Sequence, residues 1–142
     1  MRQRKFSSSS NFKLKVQMPT EDQEQIVLAT WLAKNNILFY HCPNGGSRNM
    51  IEAVKFKRMG VKAGVPDICI PIARKGHHGL YCELKRRSGG VITEQQAYWL
   101  EELKLQGYYV FVSKGADDAI IKVKNYLEKD HDKGSQTTCT TG

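Results

Sequence analysis

Two kinds of pattern that mark membrane and secreted proteins are missing from this chain of 142 residues. No apolar run approaches the roughly 18 to 20 residues that a helix needs to cross a bilayer, and the first residues contain no hydrophobic core of a signal peptide. The four cysteines show no CxxC spacing and two of them lie within apolar runs, so they indicate neither a zinc site nor a disulfide framework. We therefore expect a cytoplasmic protein with no membrane contact and no structural zinc.

Acidic residues are outnumbered in this sequence. Asp and Glu total 14 against 22 Lys and Arg, which gives a formal net charge of +8 at pH 7. Such an excess favours a polyanionic partner, either nucleic acid or another acidic surface. The hydrophobic fraction of 40% is enough for one compact α/β domain. We place that domain at residues 19–129, between a flexible basic arm at 1–18 and a disordered polar tail at 130–142.

Apolar periodicity and capping signals divide the domain into helices and strands. Thr20 is a favourable N-cap for the first helix, and Thr93 with Gln96 has the spacing of a capping box. Trp31 and Trp99 fall on amphipathic helices, so we expect them in the core. The predicted order is helix 20–35, strand 37–42, helix 49–59, strand 67–72, strand 80–85, helix 94–106, strand 108–112 and helix 116–129. This order predicts a single α/β domain with a mixed sheet flanked by helices.

Three charged residues interrupt two strands that otherwise look buried. Asp67 opens one strand, and Glu83 and Lys85 lie inside the next. Side chains alternate along a strand, so Glu83 and Lys85 share a face, and a hairpin would bring Asp67 beside Glu83. Two carboxylates beside an ammonium group form a site for Mg²⁺ or Mn²⁺, which activates water for phosphodiester hydrolysis. A surface salt bridge explains the same spacing, and by spacing alone it is slightly favoured.

The longer string around these residues resembles the virus-type replication-repair nuclease (VRR-NUC) family, a branch of the PD-(D/E)xK nuclease superfamily. "GVPD" is followed by "ELK" and then by "GGVITEQQAYWLEELKLQGYYVFV", and the resemblance covers roughly residues 21–127. It implies a restriction-endonuclease-like core of order αβββαβ. It also implies that Asp67, Glu83 and the backbone carbonyl of Leu84 bind the metal, and that Lys85 serves the nucleophilic water.

The resemblance implies two further site residues, one on each of two helices. The family carries a Glu on its first helix, commonly four residues before a Gln, and Glu21 with Gln25 fits this spacing; Glu24 is the alternative. Gln96 matches a family Gln that faces the site from the start of its helix. Both positions also have structural explanations, since acids favour the first turn of any helix and Gln96 can complete the capping box.

Basic residues lie before and after the strands that carry the acids. We expect six of them to contact the DNA backbone: Arg48, Lys55, Arg58, Lys62, Arg86 and Arg87. Helical spacing should turn the basic side chains of the second helix outward and its apolar ones inward. The expected inward set is Ile51, Val54 and Met59. A merely solvated basic surface is the alternative for all six basic residues.

Together these features predict a Mg²⁺- or Mn²⁺-dependent DNA endonuclease of replication, repair or recombination. The resemblance implies a homodimer that acts on branched DNA, such as flaps or four-way junctions, in a bacterial or phage-infected cell. Two alternatives stay open: a non-catalytic nucleic-acid-binding module with a nuclease-like fold, and a restriction or toxin-type nuclease. The intact set of acids and lysine argues against the binding module.

Overall fold

The computed structural model describes residues 17–43 and 49–128, and within them it shows the predicted order of helices and strands. The elements are α1 (Glu21–Lys34), β1 (Tyr40–His41), α2 (Met50–Arg58), β2 (Ile68–Ile70), β3 (Leu80–Lys85), α3 (Glu94–Leu105), β4 (Tyr109–Lys114) and α4 (Ala116–Leu127). Arg48, the predicted tail and nearly all of the predicted arm lie outside the described residues. In the two described stretches, no helix is long and apolar enough to cross a membrane.

The four strands form one mixed sheet in the order β1-β2-β3-β4, which confirms the predicted fold class. β2 and β3 are the predicted hairpin, antiparallel with Ile68 opposite Cys82, and β1 is antiparallel to β2. β4 runs parallel to β3, since α3 carries the chain across between them. β1 is shorter than predicted because Ile37 and Phe39 pack against the core, and the Ile37 N–H donates to the Leu32 carbonyl at the end of α1.

The two faces of the sheet have different neighbours. One face packs against α1 and α4, and the residues buried there are Leu28, Leu32, Ile68, Ile70, Leu80, Cys82, Leu84, Ala116, Ala119, Val123 and Tyr126. Alternation turns Tyr81, Glu83 and Lys85 of β3 to the opposite face. α3 lies on that side, where Gln96 reaches Glu83, and it contributes no buried residue. The charged residues of β3 are therefore separated from the hydrophobic core by the sheet itself.

Side-chain caps fix where α1 and α3 begin. The Thr20 hydroxyl accepts the N–H of Gln23, and the Gln23 side chain accepts the N–H of Thr20, which completes a capping box. Thr93 and Gln96 form the same arrangement at the start of α3. These bonds satisfy backbone donors that the first turn of a helix leaves unpaired. The first turns of both helices, which carry Glu21 and Gln96, are thereby held in place.

The exposed face of α2 differs from the prediction. Ile51, Val54 and Met59 are 81%, 55% and 67% exposed instead of packed inward, and no residue of α2 is buried. They share a surface groove with Lys55 and Arg58, so apolar and basic side chains occupy one outward face. Positions 51, 54, 55 and 58 are spaced three or four apart and so fall on one side of a helix. The inward packing of the apolar set is therefore wrong.

The two tryptophans lie in different environments. Trp31 packs against the core as predicted, and the Nζ atom of Lys124 lies 5.6 Å from the centre of one of its rings. Trp99 is half-buried outside the core cluster and lines an open cavity beside β3. Core packing is wrong for Trp99 because α3 lies against the sheet without burying any of its own residues.

Candidate functional site

Asp67 lies at the start of β2, directly before the first paired residue of that strand. The hairpin register places Ile68 opposite Cys82, so the next position along brings Asp67 opposite Glu83. The Oδ2 atom of Asp67 accepts the backbone N–H of Leu84 at 2.8 Å. Burial raises the pKa of Asp67, the Leu84 N–H lowers it, and the negative charge of Glu21 raises it. The structure thus brings together the two acids that the sequence predicts as neighbours.

Glu83 is a buried carboxylate, only 1% exposed. Its Oε1 atom accepts hydrogen bonds from Lys85 Nζ, at 2.8 Å, and from Gln96 Nε2. Its Oε2 atom is buried and has no hydrogen-bond partner among the described residues. Burial raises the pKa of Glu83 to about 7, the hydrogen bond from Lys85 lowers it, and the neighbouring Asp67 raises it. A buried oxygen without a partner is costly, so this site is incomplete unless a cation or a donor occupies the space beside Oε2.

Lys85 is 6% exposed, and the chain passes close to it at Gly90. A Cβ atom on Gly90 would lie 2.8 Å from the Cβ of Lys85, so only glycine fits there without displacing the lysine. The Nζ atom lies 2.8 Å from Glu83 Oε1 and 4.0 Å from Glu21 Oε1. The second glycine of the "GG" link after β3 is therefore explained by its close contact with Lys85. It lets the loop close over the lysine that pairs with Glu83.

Gln96 performs both of the roles that the sequence leaves open. Its backbone N–H and side-chain oxygen complete the capping box with Thr93. Its side-chain Nε2 donates to Glu83 Oε1 at the same time. Because Gln96 and Lys85 both bind Oε1, they fix the rotation of the Glu83 carboxylate and leave Oε2 as its unengaged oxygen. The capping box thus orients a residue that faces the site.

The donor set fits a hard divalent cation. The Lys85 carbonyl accepts the Gly115 N–H, and successive strand residues point their backbone groups to opposite neighbours, so the Leu84 carbonyl points toward the Asp67 side. The protein atoms available there are the Leu84 carbonyl, Glu83 Oε2 and the second oxygen of Asp67. Within residues 17–43 and 49–128, no group of three His, Cys, Asp or Glu side chains that could hold a metal is present. Two carboxylates and a carbonyl match Mg²⁺, which keeps several waters in its coordination sphere.

Glu21 lies in the first turn of α1, with its carboxylate 4.0 Å from Lys85 Nζ. Its side chain is 42% exposed, and it lines two clefts of about 580 and 610 Å³. The first cleft contains Lys85 and Arg86, and the second contains Asp67. The two clefts therefore meet at Glu21, which is the predicted helix acid.

Glu24, the alternative helix acid, has a structural role instead. It is 2% exposed, and its carboxylate accepts bonds from Arg87 Nε at 2.6 Å and from the Ala116 N–H at 2.8 Å. The hydrogen bond from Arg87 lowers the pKa of Glu24, outweighing the opposing effect of burial. Arg87 also bonds Asp117 at 2.8 Å, so the guanidinium predicted to meet phosphates ties α1 to the start of α4.

His41 is a site residue that sequence reasoning missed. It lies on β1 and lines the same cleft as Glu21 and Asp67. Its Nδ1 lies 2.8 Å from the Asp67 backbone carbonyl and 2.8 Å from the Gln25 side-chain amide. The carbonyl needs Nδ1 as a donor and the Gln25 Nε2 needs it as an acceptor, so Nδ1 can satisfy one of these two partners at a time. No sequence pattern indicated this contact, because His41 comes close to Asp67 through the pairing of β1 with β2, in which His41 lies opposite Ile68.

The remaining predicted basic residues form an exposed surface. Lys55, Arg58, Lys62 and Arg86 are all exposed, the first two in the groove on α2 and the last at the cleft of Lys85. Arg48, the sixth predicted phosphate contact, lies outside the described residues. Exposed cations on α2 and on the loop after it, with Arg86 at the cleft that contains Lys85 and Glu21, are compatible with a polyanionic ligand.

Comparison with known proteins agrees with this geometry. The profile of the VRR-NUC domain matches residues 19–117. The chain belongs to the VRR-NUC domain family. A solved structure described as a VRR_NUC domain protein is 36% identical, with a TM-score of 0.69 over 79% of this chain and 91% of that one. No curated protein matches the sequence. The VRR-NUC family is of nuclease type, so the resemblance inferred from "GVPD", "ELK" and the "GG" link is confirmed.

Proposed function

We propose that this VRR-NUC protein is a metal-dependent DNA endonuclease. The observation that carries the proposal is the buried Oε2 of Glu83, which has no hydrogen-bond partner in the described part of the chain. Lys85 and Gln96 hold the other oxygen of this carboxylate, and the hairpin register places Glu83 opposite Asp67. A surface salt bridge would leave both carboxylate oxygens accessible to water, whereas Glu83 is 1% exposed. That burial favours a cation site over the salt-bridge interpretation.

The residues divide the work between holding the ion and positioning the reactants. Asp67, Glu83 and the Leu84 carbonyl would hold Mg²⁺ or Mn²⁺, with Glu21 placed to bind through water. The ion supplies a Lewis acid for the phosphate and lowers the pKa of a bound water. Lys85 holds Glu83 Oε1 and presents its remaining protons to the water or to a phosphate oxygen.

Charge favours DNA as the substrate. The chain carries a formal net charge of +8, and its exposed Lys55, Arg58, Lys62 and Arg86 lie on the outside of α2, on the loop after it and at the cleft. Backbone phosphates are the ligands that such a surface neutralises. The meeting of two clefts at Glu21 supports a branched substrate, such as a flap or a four-way junction, because two DNA arms could approach one site.

A homodimer is part of the proposal, and α2 supplies a candidate contact. Met50, Ile51, Val54 and Met59 are 83%, 81%, 55% and 67% exposed on one short helix. An apolar surface of this kind on a small domain is more often covered than left in water. A two-fold interface there would let two sites each cut one strand of a junction.

A non-catalytic nucleic-acid-binding module is the second candidate. One observation favours it: the described residues bring no three acidic, His or Cys side chains together as a metal-binding group. A module that only binds would use the same basic surface and would show no dependence on divalent ions.

Cleavage assays separate the two candidates. Plasmid, duplex, flap and four-way-junction DNA are incubated with the protein in Mg²⁺, in Mn²⁺ and in chelator. We expect cleavage with Mg²⁺ or Mn²⁺ but not with chelator, and we expect flap or junction DNA to be cut faster than duplex. The cleavage rate should fall by at least about 100-fold in Asp67→Asn, Glu83→Gln and Lys85→Met. Matched controls on the exposed side of α3, Glu101→Gln and Lys104→Met, should cut like the wild type. Cleavage that survives chelation, or binding without cleavage under every condition, contradicts the proposal.

A further inference from the structure

An aromatic cavity of about 380 Å³ opens on the surface between β1, the loop after α2, β3 and α3. Tyr40, Tyr81 and Trp99 line it, together with His41. Leu103 and Val61 contribute apolar walls, and Lys62 is the charged residue of the lining. Among the described residues that line this aromatic cavity there is no carboxylate.

The aromatic cavity lies on the same face of the sheet as the candidate metal site. Tyr81 precedes Glu83 by two residues on β3, so their side chains point the same way about 7 Å apart along the strand. Trp99 follows Gln96 by one helical turn on α3, and Gln96 is the residue that bonds Glu83. The distance of about 7 Å between the Tyr81 and Glu83 side chains corresponds to about two nucleotide steps, since stacked nucleotides in one strand are about 3.4 Å apart.

The walls of the aromatic cavity are suited to stacking. Tyr81 is held by an edge contact with Tyr108, at 5.2 Å between ring centres, and its hydroxyl lies 3.5 Å from that of Tyr40. Tyr40 is 50% exposed at the edge of the sheet, so its ring is accessible. Cys42 also lines the cavity, and burial raises the pKa of its thiol to about 11, so the thiol stays uncharged at neutral pH. Accessible rings without anionic neighbours, next to a lysine, match the flat face of a base and its phosphate.

We propose that the aromatic cavity binds an unpaired nucleobase one or two nucleotides from the phosphate that is cut. The inference rests on the proposed nuclease function and specifies its substrate: a strand that is single-stranded at or beside the cleavage position. A base inside a duplex cannot reach these rings because both of its faces are stacked on neighbouring base pairs. Flaps and branch points carry such unpaired nucleotides, so the cavity would give selectivity for them without reading their sequence.

Tryptophan fluorescence tests this inference without any need for cleavage. In Trp31→Phe, Trp99 is the remaining tryptophan, and the full chain is titrated in chelator with a short oligothymidylate or with an abasic strand of equal phosphate number. We expect the oligothymidylate to quench Trp99 several-fold more than the abasic strand. In Trp99→Phe, where Trp31 remains on the opposite side of the sheet, binding measured by anisotropy should occur without that quenching.

Affinity supplies a second readout with a matched control. Tyr40→Ala should weaken oligothymidylate binding by roughly 5- to 100-fold, the range expected for loss of one stacked base. Tyr109→Ala removes another tyrosine, which is 37% exposed on β4 and stacks on Tyr126 of α4 outside the aromatic cavity, and should change affinity less than about 2-fold. Equal quenching by the abasic strand, or equal effects of the two tyrosine substitutions, overturns the inference.

The two proposals can fail separately. If flap DNA is cut with Mn²⁺ while the abasic strand binds and quenches as well as oligothymidylate, the nuclease proposal stands and the base site does not. If oligothymidylate quenches Trp99 while no DNA is cut with any divalent ion, the aromatic cavity is a base site in a protein that only binds nucleic acid.

Discussion

Lys85 Nζ lies 2.8 Å from Oε1 of Glu83, and both side chains are almost completely buried. The other oxygen of the same carboxylate, Oε2, has no partner among the described residues. An ion pair whose acid is only half satisfied is a poor source of stability, because desolvation costs more than one contact returns. In the proposed nuclease, a divalent cation bound to Oε2 and to Asp67 would make the same arrangement favourable.

The pH dependence of folding should report Glu83. Its pKa is about 7 in the folded chain against an ordinary 4.5, so between these values the folded state holds a proton that the unfolded state has released. Stability therefore falls as pH rises through that window. In chelator, we expect the charged form of Glu83 to lower the free energy of unfolding by on the order of 3 kcal/mol by pH 8. Chemical denaturation across pH 4.5–8 should show a flatter profile for Glu83→Gln, whereas Glu101→Gln should keep the wild-type slope.

Glu21 and Glu24, two of the three acids in the first turn of α1, should have separable effects. Glu24→Ala leaves the Ala116 N–H without its acceptor and should lower the free energy of unfolding by about 2 kcal/mol. The Glu21 side chain is 42% exposed and accepts no short hydrogen bond from Lys85, whose Nζ is 4.0 Å away. Glu21→Ala should therefore change stability by less than about 0.5 kcal/mol and instead reduce metal-dependent cleavage. Urea denaturation and single-turnover cleavage measure the two effects. A large loss of stability in Glu21→Ala with little change in Glu24→Ala would reverse the assignment.

Salt dependence should identify the cations that touch phosphates. Each lost phosphate contact lowers the slope of log affinity against log salt by about 1. We expect that reduction for Lys62→Ala and for Arg86→Ala in chelator, measured by anisotropy at several salt concentrations, since both side chains are exposed outside the apolar groove of α2. Lys104→Ala on the exposed side of α3 serves as the matched control. Arg87→Ala should alter folding more than the slope, because its guanidinium is bound to Glu24 and Asp117.

Self-association should depend on the apolar face of α2. Ile51→Glu places a charge in the centre of the exposed set, and sedimentation velocity should then show the monomer where the wild type shows a dimer. Ile121→Glu, at a 59% exposed position on α4, is the control and should leave the dimer intact. If the wild type is a monomer, or if Ile51→Glu is still a dimer, the proposal that α2 forms the dimer interface is wrong.

Most helices and strands could be predicted from local sequence patterns. The capping residues Thr20 and Thr93 and the alternation in β3 depend on neighbours within a few positions, so the sequence was enough to place them. Asp67, Glu83 and Lys85 meet because a hairpin is the simplest connection between two adjacent strands. The predicted bounds failed mainly at β1, where pairing and core packing compete for the same residues.

Long-range contacts could not be predicted in the same way. Glu24 and Arg87 are 63 positions apart, and only the folded chain shows that α1 and the loop after β3 meet at Gly115, where a Cβ would lie about 3 Å from both side chains. His41 enters the site through strand pairing across 26 positions. The exposure of the apolar side chains of α2 could not be predicted either, because their spacing is equally typical of a core helix and of an interface helix.

Isothermal titration calorimetry with Mn²⁺ shows whether Glu83 and Asp67 bind a divalent ion. We expect the wild type to bind Mn²⁺ in the absence of DNA, with an affinity at least about 10-fold weaker in Glu83→Gln and in Asp67→Asn, and unchanged in Glu101→Gln. Equal binding by the wild type and Glu83→Gln, or no binding by any of the four proteins, would contradict a metal site at the unpartnered oxygen of Glu83.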